Sequence, residues 1–177
     1  MKSNPGLGLF YPSNSSTNLR AFSDADWGTC TDSRRSVTGY CVFVGDALVS
    51  WKSKKQSTVS RSSAESEYRA LAAVMSEVIW LQQLAKDFQI NPEVSPVIYC
   101  DNQAAIHIAS NPTYHERTKH IEIDLHFVRE RLQRGLVKLL PIRTHLQVAD
   151  IFTKPLTSPA LLTLLSKMNL LNIFSSS

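Results

Sequence analysis

Four acidic residues in separate parts of the chain could together bind divalent metal ions. Carboxylate oxygens without cysteine or histidine partners suit Mg²⁺ or Mn²⁺, which keep several water ligands and commonly bridge to phosphate. Inward-facing carboxylates without a basic partner repel one another, so they are either protonated or neutralised by a cation, and we favour the cation. Taken singly, each acid has the alternative of a turn or cap residue on the surface. The four acids are Asp24, Glu67, Asp101 and Asp150.

The first part of the chain has the polarity pattern of an antiparallel meander. Residues 19–27 alternate between polar and apolar side chains, which predicts a strand with Asp24 in its middle. Residues 36–44 and 47–52 are predicted to form two further strands, joined by the tight turn Gly45-Asp46.

The rest of the chain alternates between helical and strand patterns. Its predicted elements are a helix from Ser62 to about Phe88, a strand at 97–100, a helix from Asp101-Asn102 to about Ser110, a helix with apolar positions between Ile121 and Leu136, a strand at 137–140 and a helical turn at 148–152. This order predicts an α/β fold whose five-stranded mixed sheet has three antiparallel strands, then parallel strands, and is flanked by helices. Such sheets bind ligands at the carboxyl ends of their parallel strands, where Asp101 is placed.

Helical periodicity distinguishes two neighbouring glutamates on the long helix. Glu65 and Glu67 lie roughly 200° apart around a helix, so one of them is expected to face the sheet. Glu67 shares the apolar side with Leu71 and Val74, whereas Glu65 follows the N-cap Ser62 at the spacing of a capping box. Glu67 is therefore the better candidate for a metal ligand.

The composition fits one globular domain with short extensions at both ends. The chain has 177 residues, 43% of them hydrophobic, which is enough to bury a core without disulfides. Residues 1–18 are rich in Ser, Asn, Gly and Pro and are interpreted as a linker or a remnant of a longer polyprotein. The predicted domain covers 19–156, and 157–177 form a helical tail with an apolar stripe.

The cysteine content, the hydropathy and the net charge indicate the compartment and the kinds of partner to expect. The three cysteines form no C-x-x-C pair, which fits free thiols in a reducing, intracellular compartment. The longest Leu-rich stretch, 161–174, is interrupted by polar residues, so we expect no membrane association. The net charge of +4 permits a polyanionic partner but is a weak indication alone.

Six short sequence motifs, four of which contain one of the acids, are distributed over most of the chain. They are Phe22–Gly28 (FSDADWG), Arg34–Tyr40 (RRSVTGY), Ser62–Ala70 (SSAESEYRA), Cys100–Ala105 (CDNQAA), Arg117–Ile121 (RTKHI) and Ala149–Leu156 (ADIFTKPL). With these motifs in this order, the sequence from Leu7 to Leu156 closely resembles the ribonuclease H domain at the end of the Pol polyprotein of copia-type LTR retrotransposons.

The resemblance implies both a fold and a chemistry. Ribonuclease H domains carry an Asp-Glu-Asp-Asp set, which maps onto Asp24, Glu67, Asp101 and Asp150. The implied reaction is endonucleolytic hydrolysis of the RNA strand of an RNA–DNA hybrid during reverse transcription, with two Mg²⁺ ions as cofactors and Mn²⁺ as an alternative. The implied partners are the hybrid and the reverse transcriptase domain of the same polyprotein. The implied location is the cytoplasm, within virus-like particles, with the nucleus as an alternative.

Basic residues are candidates for phosphate contacts with the hybrid. Those before the long helix add their charge to the positive N-terminal end of its dipole, although lysines also commonly solubilise a strand edge. The candidates are Arg34, Arg35, Lys52, Lys54, Lys55, Arg61, Arg117 and Lys119.

A histidine upstream of the last aspartate assists product release in many relatives of this family. His145 is the candidate here, although it precedes Asp150 by five residues, which is closer than in the cellular enzymes. The other histidines fit no common zinc spacing and are not expected to bind a metal.

Two alternatives to an active enzyme stay open at this stage. The chain could be a ribonuclease H-like module that binds nucleic acid without cutting it, although none of the four acids is altered. It could also be an inactive fragment of a decayed retroelement.

Overall fold

A computed structural model describes residues 6–90, 92–111 and 121–172 of the protein. Seven strands and four α-helices are present in these residues. The strands are β1 (Leu7–Leu9), β2 (Leu19–Asp26), β3 (Val37–Val44), β4 (Ala47–Lys55), β5 (Val97–Cys100), β6 (Lys138–Pro141) and β7 (Leu170–Asn172). The α-helices are α1 (Ser63–Asp87), α2 (Gln103–Ser110), α3 (Glu122–Gln133) and α4 (Ser158–Lys167), and short 3-10 helices occupy Thr144–Leu146 and Val148–Phe152.

The central sheet has the mixed topology that the sequence predicts. Its five strands lie in the order β4-β3-β2-β5-β6. β2, β3 and β4 pair in antiparallel fashion, whereas β2 pairs with β5 and β5 with β6 in parallel. The prediction of three antiparallel strands followed by parallel ones is therefore confirmed.

Side-chain alternation along the strands divides the core between the two faces of the sheet. One face packs Ala21, Val42 and Ile98 against α1, α2 and α3. The opposite face packs Phe22 and Phe43 against the 3-10 helix Val148–Phe152 and the C-terminal segment. β2 and β5 are consequently covered on both sides, as a central parallel pair requires.

The start of α1 follows the predicted capping pattern. The Ser62 hydroxyl accepts a hydrogen bond from the Glu65 backbone N–H at 3.2 Å, and Glu65 accepts one from the Arg61 backbone N–H at 2.8 Å. Glu65 also forms a 3.0 Å ion pair with Arg69. Both glutamates of this turn are buried, but Glu65 is committed to the cap and to Arg69, whereas Glu67 faces the sheet.

The ends of the described chain pack onto the sheet and onto each other. β1 lies within the segment interpreted as a linker and pairs antiparallel with β7, which forms part of the tail expected to be helical. Helix α4 ends at Lys167 because Asn169 adopts a left-handed conformation (φ 54°). Ser15 accepts a hydrogen bond from the Asp46 N–H of the β3–β4 turn. The domain boundaries at 18/19 and 156/157 stay a prediction.

Candidate active site

Strand register brings two of the predicted acids together at the centre of the sheet. β2 and β5 are parallel neighbours in which Ser23 pairs with Cys100. The residue that follows Ser23 is Asp24, and the residue that follows Cys100 is Asp101. These two aspartates therefore lie side by side, towards the carboxyl ends of the two strands. This is the edge of an open sheet at which ligand sites form.

Helix α1 adds Glu67 to this edge. Its Oε2 atom is buried and has no hydrogen-bond partner among the described residues. Burial, together with the charges of Asp24 and Asp101, raises the pKa of Glu67 to about 9. A carboxyl group in this state is poised either to hold a proton or to receive a cation.

Glu67 and Asp101 lie close enough to share one ion. Their carboxylate oxygens and the Cys100 Sγ all lie within 4.8 Å of one another. Burial and the charge of Glu67 raise the pKa of the Cys100 thiol well above its usual value, so it stays protonated and offers little to a hard cation. The sequence analysis predicted a site made of carboxylates alone and did not place Cys100 beside it.

Asp150 reaches the site on the 3-10 helix Val148–Phe152 rather than on a strand. Burial is the main cause that raises its pKa, and the charges of Asp24 and Asp101 add to it. Asp150 therefore lies near Asp24 and Asp101, so the structure brings the four predicted acids together, while their role as metal ligands stays a prediction.

Lys154 is a basic partner that the sequence analysis missed. Its Nζ donates to Asp150 Oδ1 at 2.8 Å and to Asp24 Oδ1 at 3.1 Å. Burial lowers the pKa of Lys154, but the two carboxylates more than offset this and raise it overall. The expectation that the four acids lack a basic partner was therefore wrong for this pair. The available signal was the i,i+4 spacing of Asp150 and Lys154 in the ADIFTKPL motif.

Gln147 is a second residue that sequence reasoning did not identify. It is fully buried, and its Nε2 donates to the Ser23 carbonyl at 2.9 Å and to Asp101 Oδ1 at 3.4 Å. Its Oε1 accepts from the Ala149 N–H at 3.3 Å. Gln147 therefore joins β2, Asp101 and the 3-10 helix that carries Asp150.

The residues present fit a divalent cation. One buried carboxylate oxygen, Glu67 Oε2, has no hydrogen-bond partner in the described part of the chain and lies among like charges, which is costly unless a proton or cation compensates it. The donor set consists of carboxylates, the ligands that Mg²⁺ and Mn²⁺ prefer. Asp24, Glu67, Asp101 and Asp150 are the residues that would hold such ions.

Six of the eight predicted phosphate-binding residues fall within the described part of the chain, and all six are exposed. The last residues of β4, Lys52–Lys55, include three lysines and form the basic end of this strand. Asp24 pairs with Gly39 and Gly39 with Ser53, so this basic end lies two strands, or about 10 Å, from Asp24. These exposed residues are Arg34, Arg35, Lys52, Lys54, Lys55 and Arg61, whereas Arg117 and Lys119 lie outside the described residues.

His145 lies on the opposite side of the acids from the basic end of β4. It is exposed in the 3-10 helix Thr144–Leu146 and lines an open cleft of about 900 Å³. Asp101 and Asp150 line the same cleft, together with Arg143, a further basic residue that the sequence analysis did not select.

Curated relatives of the chain include plant transposon proteins. The chain is 41% identical over 169 residues to the retrovirus-related Pol polyproteins from transposons RE1 and RE2 of Arabidopsis thaliana, and the match covers 96% of the chain. It is 38% identical over 136 residues to the Pol polyprotein from transposon TNT 1-94 of Nicotiana tabacum. The chain spans 12% of the length of the Arabidopsis polyproteins. No protein-family model matches it.

Solved structures with the same fold are ribonucleases H. The N-terminal RNase H domain of a Mycobacterium tuberculosis protein superposes with a TM-score of 0.58 at 9% identity, covering 84% of this chain and 99% of that one. LC11-RNase H1 in complex with an RNA/DNA hybrid gives a TM-score of 0.56 at 9% identity, covering 81% and 99%. The fold is therefore the predicted ribonuclease H fold. The chain is therefore homologous, over nearly its whole length, to one part of the retrovirus-related Pol polyproteins, and its fold is that of ribonuclease H.

Proposed function

We propose that this chain is a ribonuclease H that hydrolyses the RNA strand of RNA–DNA hybrids with the help of divalent cations. The observation that carries the proposal is the convergence of four carboxylates, one with a buried unpartnered oxygen, at the carboxyl ends of β2 and β5. This arrangement occurs in a segment related to Pol polyproteins. The resemblance implies reverse transcription as the setting, which would produce the hybrid that such an enzyme consumes.

Each acid has a distinct position from which to act. Asp24, near the end of β2, and Asp101, directly after β5, would anchor the cations. Glu67 and Asp150 complete the ligand set from α1 and from the 3-10 helix. When bound, the cations supply an activated water and stabilise the leaving oxygen. The packed strands and helices would hold the carboxylates in place, which leaves little reorganisation for the reaction.

The exposed basic residues around the acids are proposed to hold the hybrid. Lys54 and Lys55 at the end of β4, with Arg34 and Arg35 on the loop before β3, would contact phosphates on one side. Arg143 and His145 would contact the strand in the cleft on the other side. One solved structural neighbour, LC11-RNase H1, binds an RNA/DNA hybrid, which supports this assignment of the substrate.

His145 is proposed to assist product release. It is exposed and lines the cleft shared by Asp101 and Asp150, where a released phosphate would pass. Imidazole is the side chain best suited to exchange a proton with a departing group at physiological pH.

We further propose that the chain works beside the reverse transcriptase of its polyprotein in the cytoplasm. The support is its relationship to the Pol polyproteins, each of which is about eight times as long as the matched segment. Substrate would then pass between two activities of one protein.

The test is cleavage of a hybrid whose RNA strand carries a 5′ label, in Mg²⁺ and separately in Mn²⁺. We expect the wild type to cut the RNA strand, and Asp101→Asn or EDTA to abolish cutting. Single-stranded RNA and an RNA duplex serve as substrate controls. Equal cutting by wild type and Asp101→Asn would reveal a contaminant and contradict the site. A folded wild type that binds hybrid without cutting in either metal would identify a binding module instead.

A further inference from the structure

Lys154 links two acids that come from opposite ends of the folded chain. Its Nζ lies 2.8 Å from Asp150 Oδ1 and 3.1 Å from Asp24 Oδ1. The two carboxylates are almost completely buried, with side-chain exposures of 2% for Asp24 and 11% for Asp150, whereas Lys154 retains 32%. The ammonium group therefore sits between the carboxylates, and the lysine side chain stays partly exposed to solvent.

The local backbone holds this bridge in place. The N–H groups of Thr153 and Lys154 both donate to the Asp150 carbonyl, at 3.2 Å and 3.0 Å, so one helical turn stacks Lys154 over Asp150. The Thr153 hydroxyl donates to Asp24 Oδ2, the oxygen that Lys154 does not contact. Both oxygens of Asp24 are thus occupied by groups from a single turn.

We infer that Lys154 is a tethered cation that occupies the Asp24–Asp150 pair when the site holds no metal and leaves it when a divalent cation binds. This inference rests on the proposed function. An ammonium group and a metal ion cannot both occupy the space between Asp24 Oδ1 and Asp150 Oδ1, because like charges at such a distance repel strongly in a partly buried site.

Exchange predicts two effects, and the second one distinguishes it from a purely structural lysine. Lys154 stabilises the fold without metal, since it compensates two buried carboxylates that would otherwise repel each other. It also weakens the apparent affinity for the cation, because only the fraction of molecules with Lys154 displaced can bind. A structural lysine that never leaves would support both the fold and the site.

The first experiment measures Mg²⁺ and Mn²⁺ binding calorimetrically in wild type, Lys154→Met and Lys154→Gln, with Lys138→Met as the control at an exposed lysine on β6. We expect both Lys154 variants to bind the cation about tenfold more tightly than wild type. In EDTA we expect them to melt about 2–4 °C lower. Unchanged or weaker affinity in the folded Lys154 variants would overturn the inference.

A second experiment needs no variant at this position. Lysines of the wild type are reductively methylated in EDTA and in Mg²⁺ at matched ionic strength, and the modified peptides are quantified by mass spectrometry. We expect Lys154 to be modified slowly in EDTA and several times faster in Mg²⁺, with Lys138 unchanged.

The two proposals fail in different ways. A wild type whose melting temperature and calorimetry respond to neither Mg²⁺ nor Mn²⁺ would contradict the proposed function and, with it, this inference. A wild type that binds the cation while Lys154 stays equally protected would overturn this inference alone.

Discussion

Gly39 lies so close to Thr153 that a Cβ atom on residue 39 would come within 2.5 Å of the Thr153 Cγ2 atom. It would also come within 2.9 Å of the Phe152 Cβ and 3.0 Å of the Ala149 carbonyl oxygen. Gly39 pairs with Asp24 across β2 and β3. The missing side chain therefore lets the turn that carries Asp150 and Lys154 pack directly beside Asp24.

Replacing Gly39 with alanine is expected to push this turn away from the sheet. Backbone and Cβ atoms cannot move aside cheaply, so we expect Gly39→Ala to lose about 1–3 kcal/mol of unfolding free energy. Cation affinity and cleavage should fall as Asp150 moves from Asp24. Urea denaturation and calorimetry measure these effects. Gly8→Ala, where an added Cβ meets nothing within 4 Å, is the matched control; equal losses in both variants would contradict the close-packing explanation.

The stability of the metal-free protein is expected to fall as pH rises, through Glu67. The pKa of this carboxyl is raised from 4.5 to about 9, so the folded state binds its proton more tightly than the unfolded state does. Between these two values the unfolded state releases the proton whereas the folded state keeps it, so a rising pH favours unfolding. Glu67→Gln should abolish this loss and stabilise the protein in EDTA at pH 8 by on the order of 1–3 kcal/mol.

Urea denaturation in EDTA between pH 5 and pH 9 measures this dependence, with Glu93→Gln as a control at an exposed position. Addition of Mg²⁺ should make the unfolding free energy of the wild type less dependent on pH, because a bound cation replaces the proton. If the unfolding free energy of Glu67→Gln depended on pH as strongly as that of the wild type, another group would be responsible for the pH dependence.

Gln147 is expected to matter for both stability and the position of Asp101. Truncation to alanine leaves the buried Ser23 carbonyl and the Ala149 N–H without their partner and opens a small cavity. We expect Gln147→Ala to cost about 1–3 kcal/mol. Cation affinity is expected to fall as well, because Asp101 loses an orienting donor. The exposed Gln83→Ala on α1 serves as the control; a variant that loses stability but binds the cation normally would limit Gln147 to a structural role.

The basic end of β4 is expected to set the salt dependence of hybrid binding. Replacing Lys54 and Lys55 with alanine should weaken binding and reduce the slope of log K against log salt by up to about 2, because each lysine that neutralises a phosphate contributes about 1. Cleavage of bound hybrid should change little, since neither side chain reaches the acids. Fluorescence anisotropy at several salt concentrations measures the slope, and Lys86→Ala at the end of α1 is the control. An unchanged slope would remove β4 from the interface.

Local patterns in the sequence were sufficient for most of the elements and for the four acids that the structure brings together. The alternation in β2 and β3, the apolar run of β5 and the capping pattern of α1 each depend on neighbours within a few residues. The helical period likewise separated Glu67 from Glu65, because position around a helix follows from spacing alone. The pairing of β1 with β7 had no such signal, since each strand has three residues and they lie at opposite ends of the chain.

Only the tertiary structure showed which residues compensate the charges of the acids and which residues orient their side chains. Lys154 meets Asp24 across 130 positions, and Gln147 meets the Ser23 carbonyl across 124, so no local pattern could reveal either contact. The tight packing at Gly39 likewise appears only once the 3-10 helix lies on the sheet. The sequence indicated the four acids, and helical periodicity set the direction of Glu67 within α1. The structure determined their partners, because these depend on strand register and on close packing between distant segments.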